Sequence, residues 1–422
     1  MKKESNFGKF LLLWAGELIS SIGGGLTAFG LGVYIYDQTG SAANMALVTL
    51  LGFLPTLLLS VPAGILADRF DRRLMMMIGD GCSALGIIYI LICMMRGGAS
   101  LTQICIGITI SAIFSALLEP SYRATITDLL TKEEFSKANG LVSLAGSARY
   151  LFSPVIAGFL LAVSDVKLLL LIDACTFFLT VISAAVVRKS ITANKKKAEG
   201  SLADSFKEGW QVISKRKGIK MLILMSSLIT MFMGVLQVLV EPFVLSFSDP
   251  KTLGIAETVC ACGMLVSALY LGIRGIKNNY SKIMAFSLML GGVFMAGFGL
   301  VQNIYVCAAF GFLFFMMLPV TNNCIDYLAR TNIPSETQGR VWGFIGTLSQ
   351  MGYVVAYAVS GVAADELGRL TGGGVGKGAS LVIMIAGVMM AVIALAILPV
   401  KSIRELEGME KFEKDPSAEA SG

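Results

Sequence analysis

Histidine is absent from all 422 residues, and charge is scarce: Asp, Glu, Lys and Arg together make up 15%. Soluble domains carry roughly 25% charged residues. With 55% apolar residues and a mean hydropathy of +0.76, a soluble fold would lack the polar surface to cover its apolar side chains. The missing histidine removes the side chain that ordinarily titrates near neutrality. Proton chemistry therefore falls to carboxylates whose surroundings favour the neutral acid. A nucleotide loop is missing too. TGGGVGKGAS, Thr371–Ser380, has Thr371 where the first glycine is needed and Gly378 where Ser or Thr must follow the lysine. It reads as a flexible connector. No Ser/His, paired-carboxylate or metal constellation appears, so the sequence points away from an enzyme and implies no cofactor and no metal.

Long apolar runs dominate what is present. Twelve are long enough to cross a bilayer. In the first half they are Phe10–Tyr36, Ala43–Leu66, Leu74–Met95, Thr102–Ala124, Leu141–Val163 and Leu168–Val187. In the second they are Ile219–Ser246, Leu253–Ile276, Ile283–Val301, Tyr305–Leu328, Val341–Ala364 and Ser380–Val400. The expected fold is an all-α membrane protein of twelve transmembrane helices in two six-helix halves. Residues 1–190 and 219–400 form the halves, 191–218 a linker and 401–422 a tail. In the linker, Leu202, Phe206, Trp210 and Ile213 stand at helical spacing. They predict either an amphipathic surface helix or a solvated connection. The eight cysteines all fall inside apolar runs and read as small apolar filler.

Twenty-eight of the 34 Lys and Arg fall in, or within three residues of, alternate connections that include both termini, and five fall in the others. This asymmetry predicts a multi-pass protein of the cell membrane with both termini cytoplasmic. The net charge of +6 says nothing for nucleic acid, because the basic residues are not clustered with aromatics. The halves also look related. LEPSYRATITDLL follows the fourth run and MLPVTNNCIDYLAR the tenth, each with a proline and then an aspartate seven or eight residues on. Parallel six-span repeats place a substrate cavity at their interface.

Between the second and third runs lies GILADRFDRR, Gly64–Arg73. Gly64, Asp68, Arg69, Arg72 and Arg73 match the signature loop Gly-x-x-x-Asp-Arg/Lys-x-Gly-Arg-Arg/Lys, with Asp71 where glycine is usual. The chain resembles the major facilitator superfamily. The DRFDRR variant, LLWAGELISSIGGGLTAFGLGVYIYDQTGSA, PSYRATITDLL with KANGL, and IDACTFFL resemble its macrolide-efflux and secretion-effector branch. The resemblance implies a conformational latch. Asp68 would face the start of the eleventh span near Gly339, where helix-dipole charge is positive, and the arginines would reach Asp128. The alternative for Arg69, Arg72 and Arg73 is simple positive-inside anchoring. Gly64 is expected to let the second span pack closely against a neighbour. The matching loop of the second half, GIRGIKNNYSK from Gly272, has no acid, which predicts a one-sided latch.

Gly146, Pro154 and Gly158 resemble a helix-packing element of proton-coupled exporters, with Ser153 and Ala157 where glycines are usual. Among ionisable residues inside runs, Glu17, Asp80 and Asp173 are the candidates for proton coupling. Asp80 and Asp173 read equally well as bonds to neighbouring helices. Relatives commonly carry glutamine at the position of Glu17. Glu119 and Arg123, at i and i+4, are expected to pair. Arg149 is expected to neutralise a carboxylate. Phe232, Met233, Phe314, Phe315 and Met316 either line a greasy cavity or face lipid and other helices. The resemblance implies a monomeric secondary transporter in the lipid bilayer, exporting amphiphilic small molecules such as macrolide-like drugs in exchange for protons. Its rivals are export of an endogenous siderophore or lysolipid, and a membrane sensor that binds without transport.

Overall fold

The computed structural model describes residues 6–189, 217–333, 338–397 and 407. Among them every regular element is a helix. The first half carries α1 (Phe7–Thr39), α2 (Ala42–Arg69), α3 (Arg72–Met95), α4 (Leu101–Ser115), α5 (Leu118–Leu129), α6 (Phe135–Val163) and α7 (Val166–Lys189). The second carries α8 (Lys217–Leu245), α9 (Pro250–Arg274), α10 (Tyr280–Phe298), α11 (Ile304–Asn332), α12 (Gln338–Thr371) and α13 (Gly374–Ile397). Eleven stretches are long and apolar enough to cross a membrane, α4 and α5 counting as one. The twelfth helix, α12, has 34 residues, about 50 Å at helical rise. The linker positions Leu202, Phe206, Trp210 and Ile213 lie outside the described residues, as does the tail apart from Glu407.

The chain divides into two compact units, Met1–Glu199 with Ser248–Thr258, and Gly200–Phe247 with Val259–Gly422. Each is built by the same pairing rule. In the first, α1 packs on α6 and α7, and α3 packs on α4 and α7. In the second, α8 packs on α12 and α13, and α10 packs on α11 and α13. Matching spans thus take matching partners, and the relation expected from the two proline-to-aspartate stretches extends to helix packing.

Local sequence decides where the helices start and stop. Ser41 accepts a bond from the Asn44 amide at 3.2 Å and opens α2. Ser100 and Gln103 form a reciprocal capping box on α4. Asn303 takes the Tyr305 and Val306 amides at 3.0 and 3.4 Å and opens α11. The fourth span, expected as one helix over Thr102–Ala124, is broken into α4 and α5 at Ala116–Leu117. The cause is Pro120. It has no N–H for the Ala116 carbonyl, and its ring crowds that turn. Pro319, in the matching place, leaves α11 continuous.

The α3–α4 seam is closely packed. A Cβ on Gly86 would overlap the Gly107 carbonyl oxygen and stand 2.8 Å from the Ser111 amide. On the same seam the Ser83 hydroxyl bonds the Ser111 carbonyl at 2.8 Å and meets the Ser115 hydroxyl at 2.6 Å. The glycine-rich stretch TGGGVGKGAS corrects the connector expectation, because α13 begins inside it at Gly374. Gly378 lies directly against the Ala364 carbonyl of α12, and Gly376 against Ser246. These glycines remove side chains so that the first turns of α13 can seat. Outward faces carry exposed apolar side chains such as Leu58, Val61, Ile182 and Val392, the surface that hydrocarbon covers in a bilayer.

Candidate functional site

The first unit gathers three acids from three helices. Asp173 of α7 is 1% exposed. Its Oδ2 accepts the Thr27 hydroxyl of α1 at 2.5 Å, and Thr176, one turn on, reaches its Oδ1 at 3.4 Å. Gly23 makes room for this contact. A Cβ there would overlap the Thr176 hydroxyl and lie 2.7 Å from Asp173 Oδ1, so the bare α1 backbone passes directly over the carboxylate. One face of α1 thus supplies both the gap and, four residues later, the donor.

Asp80 of α3 is wholly buried. Neither of its oxygens accepts a well-formed hydrogen bond from the described residues. Thr180 stands beside it, but its hydroxyl is directed to the Gly16 and Thr176 carbonyls at 3.5 and 3.4 Å. Glu17 and Asp173 both lie close enough for their charges to act on Asp80. Glu17, half-buried on α1, keeps Oε2 out of water and without a hydrogen-bond partner. Within range of its charge are Glu119 and the Tyr122 hydroxyl, and that hydroxyl is likewise buried and unbonded. Glu17, Asp80 and Asp173, chosen in the sequence as separate acids, therefore belong to one α1–α3–α7 core.

Basic residues stand at the edge of this core. Arg149 of α6 is exposed. Its stem lies 3.1 Å from where a Gly25 Cβ would be, and its charge reaches Asp173 without a hydrogen bond. Glu119 and Arg123 pair at 2.7 Å as their spacing predicts, on an exposed face. Such pairs contribute under about 1 kcal/mol.

At the end where α2 meets α3, the signature loop resolves into separate roles. Arg69 is exposed and Arg73 is 3% exposed. Arg72 reaches Asp128 of α5 at 2.8 Å and also donates to the Ala124 carbonyl at 3.1 Å and the Ala67 carbonyl at 3.4 Å. Arg72→Ala should therefore destabilise more than Asp128→Ala. It strips carbonyl partners as well as the ion pair, roughly 1–2 kcal/mol against under about 1 kcal/mol for the partly exposed pair alone. Equal losses in detergent-solubilised protein, read by chemical unfolding, would refute this division. The side chains of Asp68 and Gly339 lie outside the described residues.

Asp71 has a role that its departure from the family's glycine did not reveal. It precedes α3, and its Oδ1 takes the Arg73 amide at 3.0 Å. Its Oδ2 takes Arg188 Nε, from the end of α7, at 2.8 Å. Burial works against the charge. The Arg188 bond and the Arg73 and Leu74 amides outweigh it and hold the carboxyl below the ordinary aspartate range. An aspartate placed just before a helical run was the available signal for the cap. Nothing local in sequence pointed to Arg188.

Other expectations separate. Gly64 and Gly146 have nothing within 4 Å of an added Cβ, which corrects the close-packing reading of both. Gly158 does meet a neighbour: a Cβ there would lie 2.7 Å from the Pro250 carbonyl, and Gly254 abuts the Pro154 carbonyl. Thr258 adds a bond to the Leu151 carbonyl at 3.0 Å. The element containing Pro154 and Gly158 thus packs α6 against the first turns of α9. Phe232 and Phe314 are 2% and 1% exposed and belong to the core of the second unit, where Phe232 also lines a small apolar cavity with Met225, Leu288 and Met390.

Residues 13–357 match the Major Facilitator Superfamily. The chain is 26% identical over 381 residues to macrolide efflux protein A of Streptococcus pyogenes, covering 87% of this chain and 92% of that one. It is 22% identical over 375 residues to the multidrug efflux pump Tap of Mycolicibacterium fortuitum, covering 86% and 90%. Among solved structures, a bacterial homologue of the human lysosomal transporter Spinster, inward-facing and unoccupied, superposes with a TM-score of 0.77 at 13% identity, covering 96% of this chain and 99% of that one. With eleven candidate membrane spans among the described residues, two units of like pairing and a family match over most of its length, this chain is a multi-pass membrane transporter and belongs to the Major Facilitator Superfamily.

Proposed function

We propose that the chain exports amphiphilic small molecules, macrolide-like drugs among them, by exchanging them for protons. The observation that carries this reading is the α1–α3–α7 acid core. Glu17 and Asp173 each lie within charge range of Asp80, and no cation stands at bonding distance from any of the three among the described residues. Charged acids inside a membrane protein are costly unless paired, and like charges disfavour joint ionisation. A protein without histidine that keeps three such acids together has a proton-binding site in the class of residue open to it. The efflux names carried by two relatives supply the direction and the substrate class.

Transport proceeds by alternating access, in which the acid core exchanges its proton with one side and then the other. The end of the first unit that carries Arg69, Arg72 and Arg73 faces the cytoplasm of a cell-membrane protein, both termini lie on that side, and the chain works as a monomer. There Asp68, Arg72 and Asp128 hold the closed arrangement.

The test is efflux of erythromycin from cells that lack their own exporters, with the proton gradient dissipated while ATP is held constant. Efflux should stop. Efflux that persists without the gradient and instead follows ATP would refute proton coupling. Erythromycin accumulation unaffected by expression of the chain would refute the macrolide reading.

A further inference from the structure

The two units differ in how they hold the helix that opens their third span. In the first, the loop carries its own acid, and Asp71 takes the Arg73 amide at the start of α3. In the second, the connection between α9 and α10 is Gly-Ile-Lys-Asn-Asn, residues 275–279, without an acid. Asn279 precedes α10 in the left-handed region, with φ 61°, and its side chain caps nothing. The first amides of α10 are nonetheless taken. Glu407, from the C-terminal tail, accepts the Tyr280 amide on Oε1 at 2.8 Å. Its Oε2 accepts the Ser281 hydroxyl at 2.6 Å and the Ser281 amide at 3.4 Å. A carboxylate on free amides at a helix start is the favoured charge arrangement there.

The neighbouring contact has a counterpart as well. In the first unit, α3 is tied to the end of the fourth span by Arg72 on Asp128. In the second, Tyr280 stacks on Tyr327 of α11, with ring centroids 3.6 Å apart and planes 6° apart. Tyr280 also donates its hydroxyl to the Ile276 carbonyl. A stacked pair stands where the ion pair stands in the first unit, and the acid comes from 127 residues along the chain.

We infer that Glu407 is the second unit's counterpart of Asp71, a positioning residue that the tail lends to the α9–α10 connection. The helix that opens the third span of each unit thus has an acid on its first amides. In the second, that acid is separable from every membrane span. It acts through the start of α10 and touches neither substrate nor the acid core. The inference rests on family membership and on these contacts, not on the macrolide reading.

Amide hydrogen exchange on the full chain in lipid nanodiscs tests it. Loss of a helix cap opens the first turn by roughly 5- to 10-fold. Glu407→Ala should raise exchange at residues 280–283 by about that factor and leave the start of α3 unchanged. Glu407→Gln keeps an acceptor oxygen and should recover part of the protection. Glu405→Ala, two residues away, should change neither helix. The second readout is erythromycin transport by the same proteins, in which Glu407→Ala lowers the maximal rate and spares KM. Unchanged exchange at 280–283, or an equal rise at α3, would overturn the inference. A normal maximal rate with a raised KM would overturn the positioning role. Failure of wild-type protein to move erythromycin would count against the macrolide reading and leave the exchange result to decide this one.

Discussion

Replacing Glu17 by glutamine abolishes uphill export while leaving downhill exchange of the same substrate intact. Glutamine matches the neutral acid in size and cannot release a proton. The Glu17 Oε2 is buried and unbonded, so the substitution breaks no hydrogen bond at that atom and the fold should persist. Three outcomes separate three roles. If Glu17 carries the coupling proton, a proton gradient no longer drives accumulation in proteoliposomes, and substrate settles at its equilibrium distribution. If Glu17 recognises a cationic substrate, binding of cations weakens and neutral substrates are spared. If Glu17 only packs, neither assay changes. The comparison needs one neutral and one cationic substrate, each measured uphill and downhill. Intact uphill export of both would remove Glu17 from the mechanism and move the proton to Asp80 or Asp173, the other members of the same core.

Gly86→Ala is expected to destabilise the fold strongly for so small a change. The added methyl would overlap the Gly107 carbonyl oxygen and approach the Ser111 amide at 2.8 Å. Both are backbone atoms of α4, so no side chain can swing away and the two helices must separate. Overpacking of this kind costs about 3 kcal/mol, and alanine's better helix propensity returns about 1 kcal/mol. The net loss is about 2 kcal/mol. Separation also stretches the Ser83 bonds to Ser111 and Ser115 on the same seam. Gly81→Ala on the same helix is the control. Its methyl meets only Val181 Cγ2 at an ordinary 3.7 Å, so propensity acts alone and the protein should hold or gain stability. Unfolding curves in detergent compare the two. A Gly86→Ala protein as stable as Gly81→Ala would mean that the seam is looser than its contacts require.

Much of the architecture was legible because a bilayer imposes a length. An apolar run must be about 20 residues to cross, and each of the twelve expected runs overlaps a described helix, the fourth overlapping both α4 and α5. The repeat was legible from Pro120 with Asp128 and Pro319 with Asp326, since matching sequence marked matching spans. The break at Ala116–Leu117 was written in Pro120 but is local, below the scale of a hydropathy run. Gly374–Ser380 misled for the opposite reason. Glycine signals a flexible chain and a close helix contact alike, and only the partner helix distinguishes them. The acids were legible one at a time as costly residues in apolar runs. Their convergence was not, because Glu17, Asp80 and Asp173 come from helices far apart in sequence, and pairing of α1, α3 and α7 brings them together. Asp71 with Arg188, and Glu407 with Tyr280 and Ser281, are contacts across more than a hundred residues. No spacing rule reaches that far.

The Asp71 tie gives the first unit a fixed reference point against acidity. Its carboxyl is held below the ordinary aspartate range, so the stabilisation it contributes is complete above about pH 4 and is lost only as pH falls through that lowered value. Across every pH at which a cell works, the Asp71 carboxyl that ties α3 to α7 therefore keeps its charge, while the acids farther along the same two helices are the groups we propose for proton exchange. On the proposed reading, one pair of helices joins an end whose carboxylate ignores acidity to a middle that answers it.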